Sequence, residues 1–315
     1  MKNPIQSNSS GSDFRSGLLT FAIVAGSSIL FCSKGVFAKL AFAAGADAVT
    51  VLALRMAFAL PFFLAIAAGA SRGAARLDAA TWLRLAALGF LGYYFSSLVN
   101  FTGLQYVSIG LERIILYTYP SIVLVISAFF LRRRVRPVVW LACAVAWIGI
   151  CAAFAGELRH PQAADQAVWG AFLIFLSALS YAGFILLSGG TIARVGVMRF
   201  TGLAVGFSCL FMLAHYGLTH DPRALGGLPA VVYGYGGILA VFGTVLPALL
   251  LSIGLKRAGA ANFSIISAIG PVATFFLAWA LLGESPNAGQ LAGFALTLAG
   301  GLGISLLRTE KVSPD

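Results

Sequence analysis

The sequence predicts an all-α polytopic membrane protein, with ten transmembrane helices arranged as two inverted five-helix repeats around a central cavity. Three observations carry this. Hydrophobic residues make up 60% of the 315 and charged residues only 10%, with a mean hydropathy of +0.94, which leaves too little polar surface to clothe a soluble domain. The apolar residues fall in ten runs near the ~20 residues that cross a ~30 Å hydrocarbon core as a helix. Gly103-Leu104, followed seventeen residues on by Pro120, returns 151 positions later as Gly254-Leu255 and Pro271.

Residues 1–16 are polar, rich in Ser and Asn, and read as a cytoplasmic tail. The runs of the first repeat, 17–154, are Gly17 to Phe42, Val49 to Gly69, Leu83 to Val107, Ile109 to Leu131 and Val138 to Phe154. An outer linker, 155–168, leads to the second repeat, 169–307. Its runs are Trp169 to Gly189, Phe200 to Leu218, Val231 to Leu255, Ala261 to Leu282 and Gly289 to Leu307, with a tail from 308 to 315. The first run is not a secretory signal peptide, because it is too long, carries Lys34 and Lys39, and is followed by nine more. Cys32, Cys143, Cys151 and Cys209 all fall inside runs and read as small apolar packers. No His and Cys spacing suits a metal, and no cofactor is implied.

Charge sets the expected orientation. With a cytoplasmic N-terminus, the inner segments hold Lys2, Arg15, Arg72, Arg76, Arg84, Arg132, Arg133, Arg134, Arg136, Arg194, Arg199, Lys256, Arg257, Arg308 and Lys311, and the outer loops only Arg159 and Arg223. That asymmetry is the positive-inside signal and puts both termini in the cytoplasm of a bacterial inner membrane. The net charge of +11 is therefore a matter of topology and of attraction to membrane lipid, not a footprint for nucleic acid. Five spans per copy is odd, so the second copy enters from the opposite side. Gly92 and Gly243, Trp82 and Tyr233, Leu131 and Leu282, and Gly149 and Gly300 hold the same offset.

These segments, with Leu281-Leu282-Gly283-Glu284 closing the ninth run and Arg55 in the second, resemble the EamA-type branch of the drug/metabolite transporter superfamily over nearly the whole chain. The first copy departs from that pattern, with Arg132-Arg133-Arg134 where a glycine and glutamate are expected. The resemblance implies ten helices, a central cavity and metabolite transport, often export. The aromatic-rich third and fourth runs look most like the YddG-type aromatic amino-acid exporters.

Polar side chains at mid-depth need partners or water and collect along a cavity. Tyr93, Ser97 and Asn100 share a helical face, and Ser27, Ser28 and Phe31 match Ser180, Tyr181 and Phe184 in the second copy. Rings, hydroxyls and one amide suit an amino acid with an apolar side chain, and Tyr117, Thr244 and Ser267 join the set. Pro120 and Pro271 each free a carbonyl four residues earlier, at Leu116 and Ser267, which calls for a polar neighbour. Each is either a cavity-facing kink or a simple bend. The fifth and tenth runs are apolar and glycine-rich, with Gly289 and Gly293 at the small-xxx-small spacing of close helix packing.

Lys34, Lys39, Arg55, Glu112, Arg113 and Glu284 sit in the outer half, where pairing is expected and an outer gate can form. Lys34 is the deepest base and the expected partner of a substrate carboxylate; Lys39, Glu284 and Arg113 also fit simple snorkelling to the interface. Glu112 is the deep acid through which protons would couple. Cationic-drug antiport ranks below amino-acid transport, since the first run offers lysine instead of a carboxylate. An enzyme would need a nucleophile and base in one pocket, whereas His160, His220, Asp47, Asp165 and Asp221 fall in loops and His215 near a helix end.

Overall fold

The computed structural model describes residues 9–129, 135–157, 164–267 and 269–309. Lys2, Leu131, Arg132-Arg133-Arg134, Arg159, His160 and Lys311 lie outside the described residues. Every regular element among the described residues is helical. Eight helical stretches are long and apolar enough to cross a membrane: Gly17–Ala43, Ala48–Ser71, Ala79–Leu104, Ile109–Phe129, Pro137–Ala155, Asp165–Val195, Val197–Thr219 and Ala230–Ala258, here spans 1 to 8. The shorter apolar helix Ile269–Leu282 follows as span 9 and Ala288–Thr309 as span 10. Spans 1, 3, 7 and 9 finish at one end of the bundle, the far end; the opposite end is the near end.

Capping fixes where several spans start. Asp47 accepts from the Thr50 amide at 2.6 Å to open span 2, and Ser108 accepts from the Leu111 amide at 3.2 Å to open span 4. Asn287 and Gln290 cap span 10 reciprocally, each side chain accepting from the other's amide. Two turns need glycine. Gly196, at φ 83°, is the single residue between spans 6 and 7. Gly283, at φ 68°, ends span 9 while the Glu284 amide reaches back to the Ala278 carbonyl at 3.3 Å, which aims the Glu284 side chain across the far end.

The helices are less regular than their apolar pattern predicts. Span 4 breaks at Tyr117 and Thr118, just before Pro120, into Ile109–Leu116 and Tyr119–Phe129. The expected loop between Leu255 and Ala261 is absent, since Leu246–Ser267 is helical throughout. That segment nevertheless bends sharply, because Phe263 lies 3.3 Å from the position of a Cβ on Gly254. Nine residues of straight helix would separate the two by about 13.5 Å. Spans 3 and 8 each contain a π-helical turn, Phe90–Phe95 and Val241–Val245, whose first residues are again 151 apart.

The pairing of spans carries the repeat into three dimensions. Span 1 packs on 8 and 9 while span 6 packs on 3 and 4; span 2 packs on 8 while span 7 packs on 3; spans 2 and 7, and spans 5 and 10, pack on each other. A two-fold axis exchanging each span with the one five places on produces this pattern. At the seam of spans 5 and 10, a Cβ on Gly149 would fall 2.5 Å from the Gly293 carbonyl oxygen and one on Gly293 2.3 Å from that of Gly149. Ser27 donates to the Pro247 carbonyl at 3.0 Å, tying span 1 to span 8, and Ser180 donates to that of Leu91 at 2.6 Å, tying span 6 to span 3. Such bonds contribute about 0.6 kcal/mol each on average, so close packing dominates. Phe58, Phe62, Leu64, Leu141, Phe276 and Trp279 are exposed on the flanks, an outer surface suited to lipid.

Gly293→Leu is expected to destabilise by more than the ~1–3 kcal/mol typical of overpacking, since backbone must move. Gly189→Leu, with open space around it, should change little. Thermal unfolding of the detergent-purified variants separates the two. At the far end, Asp47 also pairs with His220 Nε2 at 2.9 Å. Burial pushes the Asp47 carboxyl up, but hydrogen bonds from Thr50 and His220 outweigh it and hold it below the usual range. Its contribution is therefore present above the ordinary carboxylate pKa of ~3.9 and lost as pH falls through the lower folded value. Asp47→Ala should cost about 1 kcal/mol at neutral pH, and melting curves should show that cost shrinking below about pH 4.

Candidate functional site

Four ionisable side chains converge inside the bundle toward the far end. Glu112, with no exposed surface, and Arg113, 5% exposed, open span 4. The Arg113 Nε lies 2.7 Å from Glu112 Oε2, an ion contact whose angle is too poor for a hydrogen bond. Asn100 of span 3 donates to Glu112 Oε1 at 3.0 Å. The pair lies over Gly35 of span 1, where a Cβ would stand 3.4 Å from Arg113 Nη2 and 3.7 Å from Glu112 Oε2. The pair therefore packs in van der Waals contact with span 1 at this position.

Arg55 of span 2 is held from two sides. Its Nε donates to Thr244 Oγ1 at 2.7 Å, and its guanidinium lies 5.5 Å from the centroid of the Phe101 ring, a cation–π contact. Thr244 itself donates to the Leu239 carbonyl, five residues back, at 2.8 Å. That spacing is the π register, so the π turn of span 8 positions the hydroxyl that orients Arg55. Arg55 Nη1 and Arg113 Nη2 are both buried without a hydrogen-bond partner. Lys34, half-buried on span 1, packs its Cβ 3.4 Å from that of a side chain built on Gly243 and feels the charges of Arg113, Arg55 and Glu112. Three cations thus face one carboxylate, a surplus of two positive charges.

An aromatic wall continues from this cluster. Tyr117, at the break in span 4, lies within electrostatic reach of Arg113 and of Tyr119. Tyr119 meets Tyr181 at 5.3 Å between centroids, Tyr181 meets Phe184 at 5.8 Å, and Phe184 meets Tyr93 at 5.1 Å. Tyr93, Tyr117, Tyr119 and Tyr181 lie deep among protein atoms yet keep accessible surface, 36% for Tyr181.

Beyond the cluster the far end is tied shut. Lys39 Nζ meets Glu284 Oε1 at 2.6 Å, Glu284 Oε2 accepts from the Ile109 amide at 2.9 Å, and Gln290 donates to Ser108 at 3.0 Å. Lys39, Ser108 and Ile109 belong to the first half of the chain, Glu284 and Gln290 to the second.

The structure brings Lys34, Asn100, Arg55, Glu112, Arg113, Tyr117 and Thr244 into one neighbourhood, and Tyr93, Tyr181 and Phe184 into the adjoining wall. The hydroxyls of Ser27, Ser28, Ser180 and Ser267 each donate to a carbonyl. Ser28 donates, at 2.6 Å, to the Ser267 carbonyl that Pro271 releases, supplying the polar neighbour the sequence calls for. Phe31 and Ser97 are half-buried, as is Pro120, and Pro271 is buried. The π turn of span 3 shifts register beyond Tyr93, so Ser96 meets Ser177 of span 6 at 3.0 Å. Tyr94 turns to His215 at 2.6 Å. Sequence reasoning missed Tyr119, next to the helix-breaking proline, and Gly35, next to the deepest lysine. It also missed that Tyr93 and Thr244 are equivalent at the 151-residue offset, which was open to reading.

The EamA-like transporter family pattern matches residues 18–155 and again 168–306. The chain belongs to the EamA-like transporter family. As a member it is an integral membrane transporter of a small molecule, and not an enzyme. It is 30% identical over 274 residues to the uncharacterized transporter YcbK of Bacillus subtilis, covering 84% of this chain and 86% of that one. It is 23% identical over 231 residues to the uncharacterized transporter YdfC of the same organism, covering 72% of each. One crystal structure of a protein aligns with a TM-score of 0.59 at 19% identity, over 91% of this EamA-like chain and 98% of its own, a likeness of fold.

Glu112→Gln in this transporter is expected to cost about 3–5 kcal/mol, because it strands the buried Arg113 charge. Adding Arg113→Met removes that stranded charge and should restore most of the loss. Thermal unfolding that ranks the double variant below Glu112→Gln alone would contradict the pairing.

Proposed function

We propose that this chain is a secondary transporter of a small carboxylate-bearing metabolite with an apolar body, amino acids with aromatic or apolar side chains among the candidates. It works by alternating access through the cavity between its two halves. The observation that carries this reading is the pair of buried, unpartnered guanidinium nitrogens on Arg55 and Arg113, beside Lys34 and at the start of the aromatic wall. Buried donors of this kind cost free energy unless a ligand satisfies them, and guanidinium groups match carboxylate geometry. Tyr93, Tyr119, Tyr181 and Phe184 supply the ring contact that an apolar body needs.

Export is the direction that the family resemblance implies for this reading, with the basic near end facing the cytoplasm. The described bases Arg72, Arg76, Arg84, Arg136, Arg194, Arg199, Lys256 and Arg257 fall at the near end, which the positive-inside rule assigns to the cytoplasm. A cleft of about 340 Å³ lined by Gly17, Phe21, Arg257 and Ile266 lies at that end. Lys39 and Glu284 act as the outer gate, closed while the carrier loads from inside. Antiport of cationic drugs fits less well, because Glu112, the one deep acid among the described residues, has no accessible surface.

Liposomes reconstituted with the pure protein should take up radiolabelled Phe, Trp, Thr and Met saturably, in an order that favours apolar side chains. Arg55→Gln should lower uptake at least tenfold, in line with about 1.5–3 kcal/mol for a hydrogen bond to a charged group. Saturable transport of amines with no carboxylate transport would overturn the reading.

A further inference from the structure

We infer that the preferred substrate is a carboxylate without an ammonium group, such as a keto acid or hydroxy acid with an aromatic or apolar body, ahead of the matching amino acid. This rests on the carboxylate reading above and specifies the charge that the site selects. An α-amino acid brings a cation into the cavity along with its carboxylate, and that cation needs an acceptor within a few ångströms of the group that binds the carboxylate.

The described side chains offer such a cation no accessible carboxylate beside the basic cluster. Glu112 is out of reach: Oε1 takes the Asn100 amide, Oε2 has the Arg113 charge 2.7 Å away though no hydrogen bond, and the side chain has no accessible surface. Among residues whose side chains are described, Asp47, Asp78, Asp165, Asp221 and Glu284 all lie at helix ends or in loops. Glu284 is further held by Lys39 and the Ile109 amide. Backbone carbonyls are the alternative acceptors, and four of them already hold a side-chain donor: Leu91 from Ser180, Leu239 from Thr244, Pro247 from Ser27 and Ser267 from Ser28. Donors, by contrast, remain unmet on Arg55 and Arg113, and Lys34 keeps accessible surface. An ammonium group entering this field meets two guanidinium charges beside Lys34 and no exposed acid, whereas a lone carboxylate lowers the positive surplus.

The test compares phenylpyruvate, phenylalanine and 2-phenylethylamine, which share one benzyl body, in flux assays on liposomes holding the full chain. Phenylpyruvate should be transported with at least tenfold higher efficiency than phenylalanine, and phenylethylamine not at all. Lys34→Gln should narrow the ratio toward one, and Lys34→Arg should keep it. Should Lys34→Gln fail to yield monodisperse protein, Arg55→Gln provides the same comparison. Phenylalanine carried as well as phenylpyruvate would overturn this inference while leaving the carboxylate reading intact. Carriage of neither acid by folded protein would overturn both. A phenylpyruvate preference unchanged in Lys34→Gln and in Arg55→Gln would remove these side chains as its cause.

Discussion

Glu112 is the carboxylate on which the far half of the bundle depends. It sits without accessible surface between Asn100 of span 3 and Arg113 of its own helix, over the bare backbone of Gly35 in span 1. Burying a charge in low dielectric costs several kcal/mol, and an ion pair recovers that only with good contacts. One carboxylate compensates one of three nearby cations, and the remaining two are held by geometry: Arg55 by a hydroxyl and a ring, Lys34 by its position at the cavity edge. The site as proposed is therefore charged in advance of any ligand, and a carboxylate bound there would supply the missing compensation.

The chain builds this asymmetric site on a nearly symmetric frame. Spans pair as a two-fold axis requires, and π turns open at equivalent places, Phe90–Phe95 and Val241–Val245. Equivalent positions have then diverged. Tyr93 in the first π turn lines the aromatic wall, whereas its counterpart Thr244 orients Arg55. Glu112 corresponds by offset to Phe263, which fills the bend beside Gly254. The symmetric elements supply the joints at which two halves can rock, and the diverged residues supply the chemistry. Lys39 and Glu284 link the halves at the far end, and Arg194 with Asp78 and Arg199 with Ser71 link them at the near end.

Much of the fold was legible because span length and repeat offset are one-dimensional signals. The Gly103 to Pro120 and Gly254 to Pro271 segments announce the repeat, and Gly149, Gly293 and Gly300 mark the close seam of spans 5 and 10. Local irregularity was less legible. A π turn leaves no apolar-period signature in Phe90–Phe95 or Val241–Val245, so the contact of Ser96 with Ser177 of span 6 was not readable. The bend within Leu246–Ser267 preserves helical hydrogen bonding, and an apolar run alone does not separate it from a loop. For the site, Lys34, Arg55, Glu112 and Arg113 stood out because charges are rare in such helices. Their pairing was not readable, since Glu112 chooses Arg113 and Asn100 through three-dimensional packing. Serines were the opposite case: their depth was plain, but only the fold shows their donors turned to backbone carbonyls.

The most direct measurement of the central claim is thermal stabilisation of the purified protein by small carboxylates and by amines of the same carbon skeleton. A ligand at 100 times its Kd stabilises by about 2.7 kcal/mol, enough to separate binders from non-binders in a melting curve. A site with surplus positive charge predicts that carboxylates raise the melting temperature, that amines do not, and that Arg55→Gln abolishes the effect. Stabilisation by amines, or by carboxylates undiminished in Arg55→Gln, would contradict the account.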